Sequence, residues 1–182
     1  MNFLITLAHG SIEGVGDLWN GLLHPLRSPA QILVLVGLGL FAGQRKRFKQ
    51  PVLVFLFAAA LGLACTRIPG VPEPLAALPC LLSALTGILV VLRRPLPSVA
   101  ENLLFAACGF VLGWDSAPDE TAVWVVLKIL VGVWAGLAVL LLNLANYAAM
   151  VPGKQWLKIA FRVLGSWITA ISALYLALSL KH

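Results

Sequence analysis

The residues best suited to chemistry lie near the N-terminus. Read as a helix, His9, Glu13, Asp17, Asn20 and His24 recur at spacings of four, four, three and four and share one face. Ile12, Trp19, Leu22 and Leu23 fall on or near the other. Imidazole and carboxylate groups on one helical face suit a divalent transition metal. The same stripe is what an interfacial amphipathic helix shows to water, and Gly10, Gly14, Gly16 and Gly21 weaken a continuous helix. The solvated face is the favoured reading. Cys65, Cys80 and Cys108 form no C-x-x-C pair. No Ser/His/Asp set, phosphate loop or Walker-type sequence is present, so nothing supports an enzyme.

The elements that must position these residues follow from composition. Of 182 residues, 60% are hydrophobic and 11% charged, with a mean hydropathy of +0.96. A soluble domain carries about 25% charged residues, so a soluble globular enzyme, a disordered chain and a nucleic-acid-binding module are excluded. Six apolar runs stand out: Pro29 to Gly43, Pro51 to about Thr66, Pro74 to Leu92, Ser98 to Trp114, Thr121 to about Tyr147, and Trp156 to Leu180. Prolines cluster at their boundaries, and Pro79, inside the third, is expected to kink it. At about 20 residues per crossing, six crossings leave no room for a soluble catalytic domain. The expected fold is all-α: a polytopic integral membrane protein of about six transmembrane helices in a compact bundle. Residues 1–28 are read as an outward-facing amphipathic segment and 29–182 as the bundle. MNFLITLAHG lacks a basic n-region and a long apolar stretch, so the chain is read as mature from Met1.

Charge gives this bundle a direction. The net charge of +6 is read as basic cytoplasmic loops. Arg45, Lys46, Arg47, Lys49, Arg93, Arg94, Lys154, Lys158 and Arg162 fall on one side, and only Arg27, Arg67 and Lys181 on the other. Glu13, Asp17, Glu73, Asp115, Asp119 and Glu120 fall on the outer side, with Glu101 at the inner edge. Both termini are therefore expected outside. Trp114 and Trp124 mark the outer interface and Trp156 the inner one. Small residues four apart (Gly39 and Gly43, Ala58 and Gly62, Ser83 and Gly87, Gly109 and Gly113, Gly132 and Gly136) are expected to let helices approach closely. Lys128 is expected to snorkel or to pair with Asp115 or Asp119, and Asn143 and Asn146 to bond across helices. Cys65 and Cys80 flank an outward loop, where an oxidising face would allow a disulfide.

The stretch GVGDLWNGLLHPLRSPAQILVLVGLGLFAG resembles the opening of the HupE/UreJ family of membrane proteins. The resemblance implies six short spans, an outward N-terminus and a role as a nickel or cobalt permease associated with hydrogenase and urease maturation. Gly21, Leu22, Leu23, His24 and Pro25 match the first half of the family's hallmark, whose Asp-His positions are held here by Ala30 and Gln31. A second family motif, His-Gly-x-Ala-His-Gly-x-Glu, aligns with Cys108 to Asp115. Gly109 and Gly113 keep their places, Asp115 replaces the glutamate, and Cys108 and Leu112 replace the histidines.

What the resemblance implies as a metal set is therefore His24, Cys108 and Asp115, with Gln31 as a weak neutral ligand. Three of the four expected histidines are gone. Either the site has shifted toward a softer ion, since a Cys108 thiolate suits copper(I) or zinc, or the fold serves another purpose. An isolated helical cysteine is more often a small buried apolar residue. The leading expectation is a membrane protein handling or transporting a transition-metal ion: nickel, cobalt, copper or zinc. The alternative is a non-transporting structural or accessory subunit with a degenerate site. Its expected partners are the lipid bilayer and a membrane protein or a second copy of itself, not nucleic acid. The expected location is the bacterial inner membrane.

Overall fold

A computed structural model describes residues 16–45, 48–70, 77–118, 120–150 and 155–179. Among these there are seven α-helices and no strand: α1 (Asp17–Arg27), α2 (Pro29–Gly43), α3 (Lys49–Cys65), α4 (Ala77–Leu92), α5 (Ser98–Trp114), α6 (Val123–Ala149) and α7 (Gln155–Ser179). The last six coincide with the six apolar runs to within a few residues. α6 and α7 are each long and apolar enough to cross a membrane. α1 and α2 pass the same test only together, bent by 76° at their junction, while α3, α4 and α5 are shorter apolar helices. Length alone therefore gives two or three crossing segments rather than six.

α2 is the central helix. Val34, Leu38, Phe41 and Ala42 are wholly buried, and around them pack Phe55 of α3, Phe105 of α5 and Leu137 and Leu141 of α6. Pro29 starts this helix, where a missing N–H costs nothing. Pro79 lies buried in the first described turn of α4, and the residues at which a kink there would show lie outside the described residues.

All five small-residue pairs are consumed by helix packing. Gly109 and Gly113 of α5 lie against the carbonyls of Phe55 and Ala59 in α3, so closely that a Cβ at either would overlap backbone. Gly39 and Gly43 meet Leu144 and Ala148 of α6, and Gly87 meets Gly165 and Thr169 of α7. These contacts also set directions. Phe55 pairs with Gly109 and Ala59 with Gly113, so α3 and α5 run parallel. α2 runs parallel to α4 (Gly37 at Thr86, Gln44 at Val90) and to α6. α4 and α7 run antiparallel, with Ser83 at Ser172 and Val90 at Gly165.

α1 departs from the expected solvated stripe. Its residues Asn20, Gly21 and Pro25 are buried, while Leu18, Trp19 and Leu26 are exposed. Gly21 sits on the Ile129 carbonyl, and Gly132 and Gly136 of α6 receive Leu18 and Leu22. The helix is inside-out relative to the water-facing reading. In an apolar surround, small and polar residues gain by turning toward a neighbouring helix. His9 and Glu13 lie outside the described residues. α1 runs the same way along α6 as α2 does, so the two follow one another down a single long helix.

Candidate functional site

The two motif frames meet at one end of the bundle. Gln31, in the first turn of α2, has no exposed surface. Asp115 caps the end of α5. The Gln31 Nε2 donates to Asp115 Oδ2 at 2.9 Å and to Ser116 Oγ at 3.2 Å. A carboxylate only accepts hydrogen bonds, so the amide nitrogen must face it. The Ser116 hydroxyl proton is already committed to the Leu112 carbonyl at 2.7 Å, which leaves its oxygen to accept from Gln31. The amide's other atom, Oε1, is buried and makes no hydrogen bond within the protein. The first turn of a helix carries partial positive charge, which favours a carboxylate beside it. Cys80, at the start of α4, lies within electrostatic range of Asp115.

The other two candidates are placed differently. Cys108 precedes Asp115 by two turns on α5 and is wholly buried within the apolar core. His24 lies in the last turn of α1 and is partly buried. Among the described residues, no three His, Cys, Asp or Glu side chains gather closely enough to hold a metal ion. The structure thus joins Gln31 to Asp115 and leaves Cys108 among hydrocarbon side chains.

Several expected pairings resolve otherwise. The three cysteines are all free, so Cys65 and Cys80 form no disulfide. Lys128 pairs with Asp17 at 3.5 Å rather than with Asp115, because α1 occupies the groove beside it, and Asp119 lies outside the described residues. Asn143 donates to the Val139 carbonyl of its own helix at 2.7 Å instead of bridging helices. The indole of Trp134 makes a cross-helix bond, to the Leu56 carbonyl at 2.9 Å. Ser116 and Cys80 were missed as neighbours of the site. Ser116 adjoins Asp115 in sequence, which was a usable signal, whereas nothing local links Cys80 to it.

A helical bundle with small-residue seams and a polar end buried beneath apolar surface is the build of a small integral membrane protein. The chain belongs to the HupE/UreJ family: the model described as HupE / UreJ protein matches residues 2–175, nearly its whole length. No curated protein and no solved structure matches it.

Proposed function

We propose that the protein is a small multi-pass inner-membrane carrier for a transition-metal ion, received at the outer end of the bundle by Asp115. The observation that carries this reading is the convergence of the two family frames: Gln31 and Asp115, 84 residues apart, are directly bonded. Asp115 offers a carboxylate and Gln31 a neutral oxygen, with the His24 imidazole on the preceding helix. Oxygen and imidazole donors suit nickel or cobalt, while Cys108 deeper on α5 would suit copper(I) or zinc. Six crossings are supported by the packing directions. Among α2 to α7, the parallel pairs α2/α4, α3/α5 and α2/α6 stand an even number of helices apart and the antiparallel pair α4/α7 an odd number, as in alternate crossing. α1 and α2 then share one crossing, broken at Ser28.

A second reading, a non-transporting accessory subunit, is favoured by one feature: an amide donor rather than a histidine holds the carboxylate. Purification from native membranes in mild detergent, with elemental analysis and identification of co-purifying chains, separates the two. Stoichiometric nickel, cobalt, copper or zinc that is lost in Asp115→Asn supports the carrier. Metal that survives both His24→Ala and Asp115→Ala overturns it. A stable complex without metal establishes the second reading.

A further inference from the structure

Polar side chains are scarce inside this bundle, and their placement is not scattered. Those buried among the described residues are Asn20, Gln31, Ser83, Thr86, Ser116 and Ser172. Ser83 and Thr86 stand one turn apart on the buried face of α4, a turn beyond Cys80. Ser83 Oγ lies 2.6 Å from Ser172 Oγ of α7 and 2.9 Å from the Cys80 carbonyl, while Ser172 Oγ lies 2.7 Å from the Ile168 carbonyl. Two hydroxyl protons serve three contacts, so the pair always keeps an alternative acceptor. Thr86 donates its hydroxyl to the Ser83 carbonyl of its own helix at 2.9 Å, and the same oxygen lies against Gly37 of α2, in the space a side chain there would take.

Among the described residues, the buried side-chain polar atoms lacking a hydrogen bond within the protein are Gln31 Oε1, Gln44 Oε1, Arg45 Nε and Glu101 Oε1. Gln31 stands at one end of the α2/α4 seam. The other three stand at the opposite end, where Gln44 Nε2 reaches the Val90 carbonyl at 3.5 Å and the Arg45 guanidinium binds the Arg94 carbonyl. Arg45 also stacks on Phe41 at 4.4 Å and lies within electrostatic range of Glu101. Thirteen residues of α2 separate the two ends, about 20 Å at 1.5 Å per residue. By contrast, the equally tight α3/α5 seam is glycine against carbonyl. In hydrocarbon an unsatisfied polar group costs several kcal/mol, so such groups persist where they meet water or cargo.

We propose that the α2/α4 seam is the water-accessible route by which a small hydrophilic cation crosses the bundle, with Gly37 facing Thr86 as its narrowest point. This rests on the carrier reading for its cargo but not for its location. Thiols react with charged methanethiosulfonates only as hydrated thiolates, so accessibility can be read without any metal. Single cysteines Thr86→Cys and Leu85→Cys are placed in a chain carrying Cys65→Ala, Cys80→Ala and Cys108→Ala, then reconstituted in liposomes. Leu85, 44% exposed on the outer surface of α4, is the comparison position away from the seam. Thr86→Cys is expected to react at least tenfold faster than Leu85→Cys, and its modification is expected to reduce nickel(II) uptake at least tenfold. If Thr86→Cys reacts no faster than Leu85→Cys, the seam is sealed packing and the proposal falls. Fast modification of Thr86→Cys, together with no uptake of nickel(II), cobalt(II), copper(I) or zinc(II) by protein that keeps its native cysteines, upholds the seam and removes the carrier reading instead. Should the cysteine-free chain fail to fold, the unmodified protein supplies the same test: Cys80, on the seam face, reacts before Cys108, and equal protection of both overturns the route.

Discussion

Gln31 carries more of the functional argument than any other side chain, because it is fully buried against Asp115 and stands where the resemblance implies a histidine. Its amide nitrogen binds Asp115, so its only free valence is a carbonyl oxygen, a weak ligand for a transition metal. Gln31→His supplies an imidazole beside the carboxylate, and nickel(II) affinity measured by titration calorimetry is expected to rise at least tenfold. Asp115→Ala leaves the amide donor buried with one partner fewer. Beyond losing metal, that variant is expected to be about 1–3 kcal/mol less stable in detergent melts. Lys128 gives the opposite case. Its side chain is 60% exposed where it meets Asp17, so Lys128→Ala is expected to change stability by less than about 1 kcal/mol. The sequence frames located Gln31 and Asp115 by likeness, yet their bond spans 84 residues and no local pattern encodes it. The pairing of Lys128 was illegible for the same reason: it depends on where α1 docks.

Helix boundaries were the most legible feature, since apolar runs cut by prolines leave few alternatives. The packing faces were legible too, because a glycine four residues from another small residue is useful only against a neighbour's backbone. Gly113→Leu would drive a side chain into the Ala59 carbonyl and is expected to cost about 1–3 kcal/mol or abolish folding outright. Gly16→Ala, with nothing within 4 Å, is the matched control and is expected to be silent in the same thermal assay. α1 was misread because amphipathicity has two meanings. Next to water the polar stripe turns outward, and next to lipid it turns inward, so the pattern alone does not choose. A smaller strain lies at the end of α4, where Arg93 has φ 52°. A left-handed backbone costs a non-glycine residue about 1–2 kcal/mol, so Arg93→Gly is expected to raise the melting temperature.

Across the whole molecule, the distribution of charge and the directions of packing agree. Reporter fusions are expected to place residues 44–48 and 93–97 on the cytoplasmic side and 66–76 and 115–122 on the outer side. Neutralising Arg45, Lys46, Arg47 and Lys49 together should weaken or invert that pattern, whereas a topology insensitive to their removal would disprove the charge-based orientation. α2 has 15 residues and α6 has 27, and α2 reaches a crossing length only together with α1. The order of synthesis then matters. The groove that seats Leu18 and Leu22 is made by Gly132 and Gly136, residues translated roughly 110 positions later. At about 5–20 residues per second, α1 waits several seconds or more for its binding partner to leave the ribosome. During that interval a helix too short to cross alone must be held by the insertion machinery or by lipid, so α1 settles only after a helix made long after it.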